Sequence, residues 1–373
     1  MNDFRSFMLT LADDAFFELV RNYLGPVKTP FNKHELIDRL ESMLHREDIQ
    51  ERILSLIDEE DAELLSAIWV LGEPTFDELH LLFARKRSYL DLHHRVLNLE
   101  DRLLIYRTGD RLRLNPLLLE PLEAHVLRPD RLFVSRPLGA SDPEPIPPWL
   151  TDTLLVSFAA WLGEAPEIFR ADHSVRKRTL TDLRDRLPVL TESARATGDP
   201  QVLRITVLVD ALLAAGAITS TDGVRTVEEA WRELAPLSSR RRLATLAAAP
   251  ACKGQGPIGS LPEAIDVVLD TLPGDRALSV LSVERLLLVL APDQTPESCR
   301  RAREMMSLFG MLVAIDDDHV IVAPAAEPHE QTKPVVVQPN FDVMMPEEFS
   351  FVDGLFIAGI SRLTRHDRYP HFE

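Results

Sequence analysis

The sequence predicts a mainly α protein with small β-hairpins, of the α+β class, and three observations carry that prediction. Amphipathic helical periodicity fills most of the chain. At three places a helix is followed by a stop residue, an apolar strand, a tight polar turn and a second apolar strand. Three stretches dense in proline and glycine, at 136–148, 249–259 and 324–334, punctuate the sequence as linkers or long loops.

Taken in order, residues 4–57 are all-helical in pattern and form a leading bundle expected to pack on the first of the helix-and-hairpin modules. In 61–70, Leu64, Leu65, Ile68 and Trp69 fall on one helical face. Thr75-Phe76-Asp77-Glu78 has the form of a capping box, in which the Thr hydroxyl and the Glu carboxylate each satisfy an orphan amide, so a helix is predicted over 76–84. A third helix places Tyr89, Leu92, Val96 and Leu99 on its buried stripe. Two strands, 103–107 and 111–114, then flank the turn Thr108-Gly109-Asp110.

The second copy sets a helix at 202–215, a stop at Gly216, and strands 217–220 and 224–227 around Thr221-Asp222-Gly223, a strong hairpin signal. The third opens with Thr295 as N-cap and Pro296 at the first helical position. Its buried stripe is Cys299, Ala302, Met306 and Phe309. Gly310 stops the helix, and strands 311–315 and 320–323 flank Asp316-Asp317-Asp318.

Three helices followed by a hairpin is the element order of a winged helix-turn-helix. The expected organisation is therefore an N-terminal bundle (1–57), three tandem winged-helix-like modules (58–135, 149–248, 260–324) and a partial α/β domain (333–373).

Composition bounds the function. At 373 residues and 45% hydrophobic, the chain can bury substantial cores. The early residues lack the basic start and small-residue cleavage site of a secretory signal, and the most apolar runs are short and interrupted by charge, so no membrane partner is expected. Cys252 and Cys299 have no partner at metal-ligand or redox spacing, which fits a reducing cytoplasm. The net charge of −18 argues against indiscriminate coating of nucleic acid, so any such contact must be local.

At the C-terminus, 334–338 and 343–345 alternate as strands around Gln338-Pro339-Asn340-Phe341, and a helix is predicted over 351–363. The string from Val335 through Gln338-Pro339-Asn340-Phe341-Asp342-Val343, followed later by Arg362-Leu363-Thr364, resembles the helicase-associated domain of XPB-type DNA-repair helicases and their bacterial helicase C-terminal-like relatives. The resemblance covers about 30 residues and implies a domain that sits beside a DNA-dependent ATPase motor, contacts DNA or a partner, and continues beyond Glu373. It does not bring the motor: no G-x-x-x-x-G-K-[ST] occurs, and Gly254-Gln255-Gly256-Pro257 lacks the Lys and hydroxyl of a phosphate loop.

The candidate DNA-binding residues are Arg85, Lys86, Arg87, His94, Arg95, Asn98, Arg107, Arg111 and Arg113 of the first module. Within 85–113 eight cations meet four carboxylates, a local net of +4. The outward residues of the third helix, Asp91, His94, Arg95 and Asn98, have the types that reach base edges or phosphates, and the strand arginines would touch the backbone from the wing. An ordinary solvated charged face is the alternative. Arg176-Lys177-Arg178 and Arg240-Arg241-Arg242 have the form of surface loops. Arg300, Arg301 and Arg303 are opposed by Asp316, Asp317 and Asp318, whose carboxylates repel a phosphate backbone. His366, Asp367 and His371 lack a third ligand at fixed spacing, and His93-His94 point about 100° apart on a helix. No cofactor, metal or catalytic site is expected. The leading expectation is a DNA-associated adaptor with a helicase motor or other protein as partner; the alternative is a protein-only scaffold.

Overall fold

The computed structural model describes every residue except 1–2, 27–31, 85, 141, 144–145, 165–166, 171–174, 195–201, 221–223, 325–335, 338–342, 345–348 and 367–369. The described residues are mainly helical, with small sheets that are antiparallel throughout. They divide into two compact units, Met1–Val134 and Ser135–Glu373.

In the first unit α1 (Asp3–Thr10), α2 (Asp13–Leu24), α3 (Lys33–Leu44) and α4 (Glu47–Ser55) lead. Asn32 starts α3 by accepting the His34 amide at 3.0 Å. The buried faces of α1 to α3, among them Phe4, Met8, Phe16, Ile37 and Leu40, share one apolar cluster with Leu103 and Tyr106. The bundle thus packs on the first hairpin.

Next come α5 (Glu59–Leu71), α6 (Phe76–Phe83), α7 (Tyr89–Asp101), β1 (Ile105–Thr108), β2 (Arg111–Leu114) and α8 (Leu119–His125). The capping box at Thr75 and Glu78 is present, with side-chain to backbone bonds of 3.2 and 2.7 Å. Gly72 ends α5 at φ 62°, in the left-handed region that glycine enters without a Cβ clash. Leu92, Val96 and Leu99 of α7 face inward as expected, but Tyr89 does not: it is 55% exposed. It stands at the first residue of the helix, above the core, where its ring meets Phe76 edge-on at 4.9 Å. The first strand begins two residues later than predicted, because Leu103 takes a positive φ of 54° to turn out of α7. Buried Asn115 holds that turn by donating to the Leu103 carbonyl at 2.8 Å.

The second unit contains β3 (Ser135–Pro137), α9 (Asp152–Leu162), α10 (Lys177–Arg186), α11 (Arg204–Ala214), β4 (Ile218–Thr219), β5 (Arg225–Thr226), α12 (Glu228–Leu234) and α13 (Ser239–Cys252). It continues with α14 (Leu261–Thr271), β6 (Arg276–Ser279), α15 (Val280–Leu290), α16 (Pro296–Leu308), β7 (Leu312–Ala314), β8 (His319–Val322), β9 (Val336–Val337) and β10 (Val343–Met344). It ends with α17 (Phe351–Ile360), β11 (Leu363–His366) and β12 (Pro370–Phe372).

Thr295 caps α16 by accepting the Ser298 amide at 3.1 Å, and Cys299, Ala302, Met306 and Phe309 are buried, as the third repeat predicts. Its hairpin is not isolated, however: β7 and β8 belong to a four-stranded sheet of order β3-β6-β8-β7. Arg136 and Pro137, expected in a linker, form part of β3, paired with Ala277 and Arg276. Likewise α13 runs through Pro250 to Cys252, into the second predicted linker, because Ala247, Ala248, Ala249 and Ala251 are buried on that helix. The hairpin turn at 221–223 and most of the third linker lie outside the described residues.

The C-terminal segment forms a second four-stranded sheet, β11-β12-β10-β9. The last helix ends at Ile360 rather than at 363. Leu363 instead pairs with Phe372, and β10 pairs with β12 through Val343 and Phe372. A Cβ at Gly354 would come within 2.3 Å of Phe349 and 3.0 Å of Val156, so α17 lies close against α9 only because that residue is glycine.

Candidate interaction surface

The predicted patch is built on α5 to α7 and the hairpin. Asp58, the N-cap of α5, accepts the Asp61 amide at 2.7 Å, and Glu59, Glu60 and Asp61 fill the first helical turn, where negative charge complements the helix dipole. That acidic helix start lies against the cations of α7. Buried Asp61 accepts from Arg95 at 2.9 Å and Arg102 at 2.6 Å, and Arg95 also reaches Asp58 at 3.1 Å and Glu60. Burial pushes the Asp58 carboxyl up, but the Asp61 amide and the Arg95 guanidinium outweigh it and hold it below the usual carboxylate range.

Lys86 pairs with Glu63 at 2.5 Å, and Arg87 bridges Glu60 at 2.8 Å and Glu63 at 2.9 Å. On the hairpin, Arg107 pairs with Glu100 at 2.5 Å and Arg113 with Glu73 at 2.7 Å. Arg111 donates to the Glu73 carbonyl at 3.0 Å and lies 3.7 Å from the Glu78 carboxylate. Asn98 accepts from Arg102 at 3.3 Å, and His94 is exposed. Arg85 lies outside the described residues.

The described residues of the predicted patch therefore gather in the first unit, but with carboxylates among them. A sequence window of 85–113 omits Asp58, Glu60, Asp61, Glu63, Glu73 and Glu78, which supply most of the countercharge. The one legible signal is the acidic run that opens α5, Asp58 to Asp61. Sequence reasoning also missed two outward leucines of α7, Leu90 (60% exposed) and Leu97 (41% exposed). Seven residues, or about two turns, apart, they lie on one face with His94 between them. The exposed charged residues of that helix are Asp91 and Asp101, while Arg95 is part-buried against Asp58, Glu60 and Asp61.

Elsewhere, Arg240 pairs with Asp266 and Asp270, and Arg241 with Glu263, all on helices rather than in the loop expected. Arg242 is buried against Asp152. Arg300 and Arg301 pair with Glu297, and Arg303 with Glu284. At the tip of the β7–β8 hairpin, Asp316 binds His319 at 2.9 Å and Arg136 at 3.5 Å.

Gly254 to Gly256 follow the C-terminal end of α13, where a helix presents carbonyls rather than the amides a phosphate needs. Ser157 meets the His366 Nδ1 at 2.7 Å in a buried pair, and its hydroxyl also lies 2.8 Å from the Thr153 carbonyl, so two groups compete for its single proton. Asp367 lies outside the described residues. Among those described, no three His, Cys, Asp or Glu side chains are grouped to hold a metal, and no helix is long and apolar enough to cross a membrane.

A comparison with curated proteins finds no match. A family model described as an N-terminal domain matches residues 1–45, the stretch that carries α1 to α3.

Proposed function

We propose that the chain is a non-catalytic interaction protein whose winged-helix-like first module binds another protein, the face of α7 being the contact. What supports this over a DNA contact is one observation. Lys86, Arg87, Arg95, Arg107, Arg111 and Arg113 are each engaged with carboxylates, while the outward face of α7 offers Leu90 and Leu97 between acidic residues. A phosphate backbone would have to displace those ion pairs and approach the carboxylates that make them. An apolar face with an acidic border suits a partner surface that is apolar and basic. The C-terminal resemblance to helicase-associated domains supports a DNA-processing motor as the class of partner, and the two cysteines without a disulfide suit a reducing compartment such as the cytoplasm.

The test measures the full chain against labelled duplex and single-stranded DNA at low ionic strength, and against candidate motors with Leu90→Asp/Leu97→Asp in parallel. The expected result is no salt-sensitive DNA binding, and a motor bound by wild type and lost in the double variant. The proposal fails if DNA is bound and Arg107→Glu, Arg111→Glu and Arg113→Glu together abolish that binding; the equivalent change at Arg300, Arg301 and Arg303 would then matter less. The chain alone should release no phosphate from ATP above background.

A further inference from the structure

Helix α10 carries a row of cations that the chain leaves unanswered. Lys177 and Arg178, expected in a surface loop, are the first two residues of that helix, which has no acidic residue in its first turn and no side-chain cap. Cations there oppose the helix dipole, so the helix gains nothing from them. Lys177, Thr181 and Arg184 follow one another at i, i+4 and i+7 along one exposed face, with exposed Arg178 at its edge. Thr179 and Leu183, on the other side of the helix, are buried. Among the described residues, Lys177, Arg178 and Arg184 meet no carboxylate. The acids nearby are engaged elsewhere: Glu167 holds Arg176 at 3.0 Å, Glu164 holds Arg186 at 2.9 Å, and Asp182 accepts from the Trp161 indole at 2.6 Å. Asp185, exposed one turn beyond Thr181, bounds the row on the Arg178 side.

We propose that this row is a docking site for a short acidic segment of another protein. Lys177 and Arg184 are seven residues apart, or about 10 Å along the axis, a span that a few carboxylates of one peptide can cover. The Arg178 and Arg184 guanidinium forks are open to take a carboxylate bidentately. Duplex DNA fits less well, because its binding draws on a longer row of roughly 6–10 phosphates. Laid along α10, it would run past the row towards Asp185 and into the field of a chain of net charge −18. An anionic membrane also fits less well, since none of the strongly exposed apolar side chains lies on α10 to insert. The row belongs to the second unit and uses neither α7 nor its leucines.

The experiment is fluorescence anisotropy of a short labelled polyglutamate peptide, and of labelled duplex DNA, titrated with the full chain at low ionic strength. Wild type should bind the peptide, more weakly as salt rises. Lys177→Glu, Arg178→Glu and Arg184→Glu together should weaken it by about tenfold or more, because each lost attraction becomes a repulsion. Glutamate suits the first turn of a helix, so the thermal midpoint of that variant should hold or rise, which separates lost docking from lost folding. A charge-matched control, Arg21→Glu, Arg39→Glu and Arg52→Glu, reverses three exposed cations of the first unit and should leave the affinity close to wild type. Leu90→Asp/Leu97→Asp should do the same, so this row and the α7 contact stand or fall separately. A peptide that wild type does not bind, or that both charge-reversed variants bind equally, overturns the proposal. A duplex held more tightly than the peptide through Lys177, Arg178 and Arg184 overturns it too, by giving the row to phosphates.

Discussion

The Arg95 guanidinium lies 2.9 Å from a carboxylate oxygen of buried Asp61. Arg95 is the residue of α7 that the sequence offers as a phosphate contact, and the fold commits it to an acid 34 positions earlier. The pair ties α7 to the start of α5, and Arg102 ties the far end of α7 to the same carboxylate at 2.6 Å.

Asp61→Ala should lower the stability of the first unit by about 2 kcal/mol, since a buried acceptor of two charged hydrogen bonds is lost. Arg95→Ala should cost less, about 1 kcal/mol or under, because its other partners, Asp58 and Glu60, are mostly exposed. Urea denaturation of both single variants and the double variant measures this. Equal losses from the two single changes would show that Asp61 is not the anchor.

Arg242 organises the second unit. Its guanidinium is held by Asp152 at 2.9 Å and the Leu234 carbonyl at 2.5 Å, and it stacks 3.6 Å from the Phe351 ring centroid. Arg242→Ala should destabilise that unit by about 3 kcal/mol, because it leaves a carboxylate and a carbonyl unpartnered. Arg242→Lys should recover little, since an ammonium has neither the fork nor the planar face. A denaturation midpoint for the lysine variant near wild type would contradict this account.

Hydrogen bonding from His319 and the Asp318 amide, with Arg136 nearby, holds the Asp316 carboxyl at about 2, below its ordinary 3.8. A carboxyl lowered in the folded state adds stability above its unfolded pKa and loses it as pH falls through the folded value. The contribution is therefore present above about pH 4 and fades between about pH 4 and about pH 2. Asp316→Asn should flatten that part of the acid-unfolding curve; an unchanged slope would show that the cluster does not couple to folding.

Burial, reinforced by the neighbouring Cys252, Glu284 and Asp293, pushes the Cys299 thiol up to about 12, and burial raises Cys252 as well. The reactive thiolate is then scarce, and iodoacetamide at about pH 8 should modify neither cysteine until the chain opens. Mass spectrometry over time reads this. Fast labelling of the folded chain would mean that one thiol is accessible.

Elements and their order are legible in the amino-acid sequence wherever the signal is local. Thr75 with Glu78 announces α6, Thr295-Pro296 announces α16, and the +3/+4 spacing of Leu92, Val96 and Leu99 fixes which face of α7 is buried. Caps and periodicity act over one or two turns, so they can be read from neighbouring residues. What needed the tertiary structure was every pairing between distant residues. Ser135–Pro137 becomes a strand only because Arg276–Ser279 lies beside it, and Ala249 to Cys252 stay helical because their neighbours bury them. The charge of the first module belongs here too. A count along the chain finds cations in 85–113, but whether they face solvent or a carboxylate depends on which helix packs against them, and Asp58 to Glu63 arrive only when α5 folds onto α7.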